Sequence, residues 1–267
     1  MLNRRGVAAV AALAVLAVLS ASTLANPSDD ELKRDAVSRL VSSHDTALSV
    51  GIGRVYVKQA ALNAARDVLT ERGRAAGLQP REWNLQTAQW QAAERELMQG
   101  VDEVIQRKVA NNVWVRQAWS ELIAQTLNAE QADEIAVHFQ SEGGQLQRQV
   151  IEWFVGELTL QTYTFTDRLK YGVPGSEQEM KDLQVVTYER KERFPPIYDL
   201  TSYPDAMRFA STDPGVKYFK MMVMQGVHAV HEHLEQVADE ARARIRSRAV
   251  LADPYIARAR ASPGTKG

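Results

Sequence analysis

Residues 128–144 read NAEQADEIAVHFQSEGG, and the order of residue types in this stretch decides the fold class. Asn128 with a glutamine three residues later is a capping box, which marks the start of a helix. Phe139 is suited to packing the end of that helix against a core. Ser141 is suited to capping the next helix, and Gly144 lets the backbone turn tightly into that helix. The stretch therefore predicts a helix–turn–helix hairpin.

The helical pattern extends over almost the whole chain beyond its first 25 residues. We find no sustained alternation of apolar and polar residues that would indicate a sheet. Glycines are expected to interrupt the helices. Gly51 and Gly53 are expected before one helix and Gly73 at its end. Gly100 is expected to be a weak point in the next helix, and Gly143 with Gly144 to form a further break. The main predicted helices cover residues 54–72, 85–110, 145–170, 176–192 and 215–250. The chain is predicted to be all-α and built from helical hairpins.

Five segments follow from this pattern. Residues 1–25 form a signal peptide, 26–113 an N-terminal helical region, and 114–171 a hairpin around the turn quoted above. Residues 172–250 form a second hairpin with a similar turn. Residues 251–267 are expected to form a basic, disordered tail, because small polar residues end the chain.

The second turn repeats the order of the first. Phe209 lies 70 residues after Phe139, and Ser211, Pro214 and Gly215 follow it, with one extra residue after the serine. Ser211 is a plausible cap, and the pair Asp213 and Pro214 predicts an N-cap at Asp213 with Pro214 as the first residue of the next helix. A true internal duplication is one interpretation, and chance similarity of a few positions is the other.

Phe139, Ser141 and Gly144 resemble the Phe-Tyr-x-Ser-Pro-x-Gly turn of the bacterial family called domain of unknown function 2059. The acidic helix start of that family is matched at residues 128–130, whereas Glu142 replaces its usual proline. The resemblance implies an exported helical protein. It implies no activity, because the family has none established, and the matched residues are expected to form a turn and not a catalytic site.

Residues 1–25 have the three parts of a secretory signal peptide. Two arginines at positions 4 and 5 precede an uncharged run of alanine, valine and leucine over residues 6–19, and small residues follow. Cleavage is expected between Ala25 and Asn26, which places the mature protein in the periplasm or outside the cell. The alternative is an uncleaved anchor in the inner membrane, because residues 6–25 together approach the length of a membrane span.

Composition excludes several classes of function. The chain has 267 residues, of which 45% are hydrophobic and 24% charged, and its net charge of −1 argues against bulk binding of nucleic acid. It contains no cysteine. Disulfides, thiolate metal sites, cysteine nucleophiles and a lipid-bearing cysteine are therefore all excluded.

The strongest candidate for chemistry lies on the last predicted helix, where three histidines and two glutamates fall within residues 228–235. On a regular helix, His228, His231 and Glu235 lie on one side, where they could bind zinc, or copper with the help of nearby methionines. The opposite side is predicted to be an apolar face made of Phe219, Met222, Val223, Gly226, Val230, Leu234 and Val237. The alternative interpretation is a solvated helix face that binds no metal, and no cofactor is predicted.

No motif of nucleophilic catalysis occurs in the sequence. Gly-x-Ser-x-Gly and Ser-x-x-Lys are both absent. Ser43, His44 and Asp45 are adjacent, but a triad is defined by geometry and not by adjacency. These three residues are expected to form a polar helix end, and the protein is predicted not to be an enzyme.

The C-terminal end is basic. Residues 241–267 contain six arginines and one lysine against one aspartate, a net charge of +6. The arginines on the last helix, which are Arg242, Arg244, Arg246 and Arg248, spread around its circumference. They complement the helix dipole in one interpretation, and they contact anionic lipid headgroups or lipopolysaccharide in the other.

These observations predict a non-enzymatic periplasmic helical protein that acts through an unknown protein or envelope partner. One alternative is a copper or zinc module built on His228, His231 and Glu235. The other is a binder of an anionic envelope surface through the basic tail. The sequence leaves the oligomeric state open.

Overall fold

The computed structural model describes residues 28–171 and 197–261, and every regular element in those two ranges is helical. The all-α prediction is therefore confirmed. The predicted signal peptide, its cleavage site between Ala25 and Asn26, and the predicted helix at 176–192 lie outside the described residues.

Eleven helices follow one another in the described ranges. They are α1 (Asp29–Ser42), α2 (Ala47–Ala75), α3 (Ala88–Met98), α4 (Val101–Lys108), α5 (Val113–Thr126), α6 (Ala129–His138), α7 (Glu142–Tyr171), α8 (Pro204–Phe209), α9 (Asp213–Met221), α10 (Val227–Ser247) and α11 (Asp253–Ala261). A π turn, Met222–Gly226, joins α9 to α10, and 3₁₀ turns lie at Ile197–Ser202 and Ala249–Ala252. None of these described helices is both long and apolar enough to cross a membrane.

The long helices α2 and α10 form the centre of the fold, and α7 and α3 pack on α2 beside them. Gly53 lies against Leu234 early in the two helices, and Arg72 near the end of α2 reaches Asp253 just past α10. The two helices therefore run in the same direction. A Cβ atom on Gly53 would stand 2.9 Å from a methyl carbon of Leu234 and 2.7 Å from one of Val109, so glycine is what permits this close packing.

The expected breaks in α2 are absent. The helix runs unbroken through Gly51 and Gly53 and also through Gly73, where its end was predicted. Tertiary packing overrides the weak helix propensity of glycine here. The indole of Trp83 lies on Gly73, where a Cβ atom would meet it at 2.2 Å.

Two glycines with positive φ do end helices. Gly77, at φ +79°, follows α2, and the N–H of Leu78 donates to the carbonyl of Gly73 at 3.0 Å, as in a Schellman motif. Gly100, at φ +82°, separates α3 from α4. The single helix predicted at 85–110 is therefore two helices.

Ser141 caps α7, as the sequence predicted. Its Oγ accepts a hydrogen bond from the N–H of Gly144 at 3.0 Å. A Cβ atom on Gly144 would stand 1.9 Å from the carbonyl oxygen of His138. Gly143 and Gly144 therefore lie in the first turn of α7 and permit the tight entry, and the break predicted at these glycines lies just before them, at residues 139–141.

The second turn uses the same geometry one residue later than predicted. Thr212 is the cap of α9 and accepts from the N–H of Gly215 at 3.2 Å, while Ser211 donates to a backbone carbonyl of α8. Asp213, predicted as a cap, is the first residue of the helix. The cap stands three residues before the glycine in both turns, and the carbonyl that faces the glycine belongs to His138 in the first turn and to Phe209 in the second. The turns therefore match at an offset of 71 residues, and the predicted equivalence of Phe139 and Phe209 is wrong.

The last predicted helix is divided by the π turn. A π turn holds one more residue than an α turn, so the part before it is rotated relative to the part after it. Met222 of the predicted apolar face is fully buried. Phe219 of the same face is 46% exposed, whereas Tyr218, which was not predicted on it, is 1% exposed. The predicted face is therefore correct for α10 and wrong for α9.

The C-terminal segment is more ordered than predicted. Residues 251–267 were expected to form a disordered tail, but α11 occupies Asp253–Ala261. Arg72 donates to both carboxylate oxygens of Asp253 at 2.5 and 2.6 Å, and Ile256 is buried. Residues 262–267 lie outside the described ranges.

Gly215→Ala should lower the free energy of unfolding by about 1–3 kcal/mol, because the new Cβ atom overpacks the turn. It would stand 2.1 Å from the carbonyl oxygen of Phe209. Gly51→Ala is the matched control, since no atom lies within 4 Å of its Cβ position. This variant should instead raise the free energy by up to about 1 kcal/mol, as expected for glycine inside a helix. Urea unfolding followed by circular dichroism measures both, and equal losses would contradict the prediction.

Candidate functional site

A buried chain of hydrogen bonds connects three distant parts of the sequence. His44 lies in the turn between α1 and α2, and its side chain is fully buried. Its Nδ1 lies 2.7 Å from Oε1 of Glu152 on α7, and its Nε2 lies 2.5 Å from the hydroxyl of Tyr218 on α9. Each of the three residues is at most 5% exposed.

The partners of Glu152 assign the protons in this chain. The same carboxylate oxygen accepts from the backbone N–H of Asp45 at 3.0 Å, so it is an acceptor, and Nδ1 of His44 donates to it. In the imidazole tautomer that donates from Nδ1, Nε2 is the acceptor, and Tyr218 donates to it. Burial, with the nearby charge of Glu152, raises the pKa of Tyr218 well above its usual value and keeps this hydroxyl protonated, although Arg148 opposes the shift.

Aromatic side chains enclose the buried chain. The ring centroids of Trp119 and Phe139 lie 4.9 and 5.9 Å from that of His44, both in edge-to-face geometry. Arg148, one turn before Glu152, places its Nε 3.6 Å from the carboxylate and adds a positive charge. The arrangement has the residue types of a proton relay, but its buried position suits it to holding helices together.

Sequence reasoning did not find this set. It considered His44 only with its neighbours Ser43 and Asp45, and Ser43 in fact donates to the backbone carbonyl of Leu40 at 2.6 Å. Glu152 and Tyr218 lie 108 and 174 residues from His44. One signal was available, because Glu152 stands alone among apolar residues in the run VIEWFV, and a buried carboxylate needs partners.

A second, half-buried network contains two of the three candidate metal ligands. The hydroxyl of Tyr56 donates to Glu235 and lies 3.3 Å from Nε2 of His231. Arg242 donates to the other oxygen of Glu235 at 2.8 Å and to Asp239 at 2.8 Å. Burial alone would raise the pKa of Glu235, but the hydrogen bonds from Arg242 and Tyr56 outweigh it and hold that pKa below its usual value.

The third candidate ligand does not join this network. The side chain of His228 is 78% exposed and lies 3.9 Å from Glu232. In the part of the chain that the structure describes, no group of three histidine or carboxylate side chains has the arrangement of a metal site. A metal at His228, His231 and Glu235 would have to compete with Arg242 for the carboxylate, and the metal hypothesis stays a prediction.

His233 lies apart from the other two histidines, beside a surface groove of about 410 Å³ between α5 and α10. Its ring stacks on Trp114, with centroids 4.7 Å apart and planes 7° from parallel. Burial lowers the pKa of His233, and the charge of Lys108 lowers it further. A weak hydrogen bond to the Lys108 carbonyl raises that pKa but does not outweigh the other two effects. His233 is therefore neutral at pH 7.

Of the four arginines within residues 242–248, three are engaged inside the protein. Arg242 engages Glu235, Arg244 donates to Glu103 at 3.1 Å, and Arg248 donates to a backbone carbonyl of α3 at 3.0 Å. Arg246 is exposed. Arg244 and Arg248 thus hold the end of α10 against α4 and α3, whereas Arg242 is paired within α10.

No protein-family model matches this chain, and neither a curated protein nor a solved structure matches it. The resemblance of its turns to the domain of unknown function 2059 family therefore stays a prediction. Function has to be argued from the geometry of this chain.

Tyr218→Phe should lower the free energy of unfolding by about 1–3 kcal/mol, because it leaves Nε2 of His44 buried without a donor. Tyr255→Phe, on a partly exposed tyrosine of α11, is the control and should change stability by at most about 0.5 kcal/mol. A double-mutant cycle with Glu152→Gln should show coupling, since both side chains act through His44. Losses of equal size in the two tyrosine variants would contradict the buried chain as the source of stability.

The lowered pKa of His233 predicts a pH dependence of stability. As the pH falls, His233 is protonated in the unfolded chain before it is protonated in the folded protein. The stability that neutral His233 contributes to the folded protein is therefore present above about pH 6.5 and is lost below it. His233→Phe keeps a ring on Trp114 but cannot titrate, and its stability should fall less than that of wild type between about pH 7.5 and 5.5. His228→Gln is the control, because His228 is exposed, and it should keep the wild-type slope. Identical slopes in wild type and His233→Phe would refute the assignment.

Proposed function

We propose that this protein is an exported helical binding module of the bacterial envelope, without catalytic activity. One observation carries the proposal: the titratable side chains that the fold gathers are used to join helices. Tyr218, His44 and Glu152 join three segments in the interior. Glu235 is engaged by Arg242 and by a tyrosine of α2. Side chains held in this way position the helices and leave recognition to the surface.

The location in the envelope is supported by the first 25 residues, which have the order of a cleavable signal peptide. A chain without cysteine is also suited to an oxidising compartment, where it forms no disulfides by accident. The resemblance to an exported helical family points the same way.

A binding module needs a frame that keeps its surface in place, because ordering a surface on binding costs affinity. Long-range contacts supply that frame at the C-terminal end. Arg72 donates hydrogen bonds to both carboxylate oxygens of Asp253, and Arg244 donates one to Glu103. At the other end Arg39 on α1 binds both carboxylate oxygens of an aspartate on α6, at 2.7 and 2.9 Å.

Export is tested by expressing the full chain in a Gram-negative host and measuring its mass after osmotic-shock fractionation. We expect a periplasmic protein that begins at Asn26. Ala25→Arg should block cleavage and hold the chain at the inner membrane, because the peptidase reads a small residue there. A full-length chain in the cytoplasm would contradict export.

The non-catalytic part is tested separately, on the purified protein with a panel of chromogenic ester, amide and phosphate substrates. We expect no turnover above the background rate. Turnover by wild type that His44→Phe abolishes would contradict the proposal, because it would give the buried chain a catalytic role.

A further inference from the structure

The outer side of α9 and the π turn carries an apolar ridge. We define this outer ridge as Val216, Phe219, Lys220, Val223 and Met224. Val216 is 52% exposed, Phe219 46% and Met224 68%. Single exposed apolar residues are ordinary, but three large ones within nine residues of one helical segment form a patch that calls for an explanation.

The outward position of the ridge is fixed by the opposite side of the same segment. Tyr218, Met221 and Met222 are each at most 2% exposed. Tyr218 is also hydrogen-bonded to His44 in the interior. Turning Phe219 inward would break that bond and empty two methionine positions in the core, so the ridge cannot be buried by rotation of its own helix.

Two lysines and one aspartate carry the charges beside the ridge. Lys220 lies within it and is exposed, and Lys217 stands next to it, 2.8 Å from Asp213 at the start of the helix. From residue 214 to residue 231 the sequence has two lysines and no acidic residue. The segment therefore combines an apolar stripe with cations, which is the pattern of a helix that lies in a membrane interface.

We propose that the outer ridge docks this protein on the surface of a membrane that contains anionic lipid, an inference that rests on the proposed location in the envelope. The five residues of the ridge are far fewer than the roughly 20–30 that each partner contributes to a stable protein interface. A second copy of the chain or a folded partner would need more surface than this. A lipid surface needs no shape complementarity, because apolar side chains enter it individually.

In the docked state α9 and the π turn lie along the membrane plane. Phe219, Val223 and Met224 enter the region between headgroups and acyl chains. Lys220 extends its ammonium group to lipid phosphates, and Lys217 exchanges its partner Asp213 for them. Two lysines add only a modest electrostatic attraction to an anionic surface, so binding is weak and reversible, and it falls with salt.

Sedimentation with lipid vesicles tests the proposal on the purified processed chain, independently of where the cell places it. The vesicles are phosphatidylethanolamine with phosphatidylglycerol, and phosphatidylcholine alone serves for comparison. We expect partitioning into the anionic vesicles only. The double variant Phe219→Ser/Met224→Ser should lower the partition coefficient at least 10-fold, and Lys217→Gln/Lys220→Gln should remove most of its salt dependence.

Two control variants separate the ridge from other surfaces. Val137→Ser/Val250→Ser removes two apolar side chains that are 64% and 61% exposed elsewhere, and it should bind within about 2-fold of wild type. Arg246→Gln/Arg260→Gln removes exposed cations of the C-terminal helices and should behave the same. Absence of wild-type binding, equal losses in either control, or loss only in the arginine variant would overturn the proposal. Circular dichroism checks folding, and Met224→Ser alone replaces the double variant if that unfolds.

Discussion

The hydrogen-bond chain through His44 is the constraint on which the rest of this structure depends. It fixes the turn between α1 and α2 to α7 and to α9, and it does so with groups that are buried and must remain paired. Because Tyr218 has to face His44, the rotation of α9 about its own axis is set. The helix then needs an extra residue before α10 can present Val230 and Leu234 to α2, and the π turn supplies it. The buried polar chain and the irregular helix are therefore one feature.

Local signals in the sequence were reliable. The capping box predicted at Asn128 with Gln131 is present with both hydrogen bonds, and Ser28 with Glu31 forms another, because a cap is decided by residues three apart. The assignment of segments as helix was also predictable, since it follows from the spacing of apolar residues along one segment. Glycine was the weak signal, because its effect depends on what packs against it. Gly53 stays helical beneath Leu234, while Gly100, with positive φ, ends a helix.

The central site could not be predicted for a related reason. Nothing near His44 in sequence points to Glu152 or Tyr218, which are brought to it by the packing of α7 and α9. The helical wheel failed on Phe219 because it assumes a constant rotation per residue, and a π turn changes that rotation. The candidate ligands His231 and Glu235 were correctly placed on one side of a helix, but the hydroxyl of Tyr56 that meets them comes from a different helix.

The two similar turns lie against each other in the fold. The ring of His138 stacks on that of Phe209, with centroids 3.9 Å apart, and Ser141 also donates to Asp205. These contacts join the hairpins at their turns. In both turns a hydroxyl caps the helix and a backbone carbonyl oxygen lies against the glycine three residues after the cap. This shared geometry is a physical reason for the sequence similarity.

The π turn makes the facing of this segment tolerant of a change in length. It holds one residue more than an α turn, so removal of one residue between 222 and 226 would leave a regular α-helix in which Tyr218 still faces the core. If the turn instead closed as an α turn at unchanged length, every position before it would rotate by about 100°, and Phe219 would move towards the core while Tyr218 moved out of it. In the evolution of such a chain, a codon gained at this place is therefore absorbed locally, and the water-facing and interior sets of the segment are preserved.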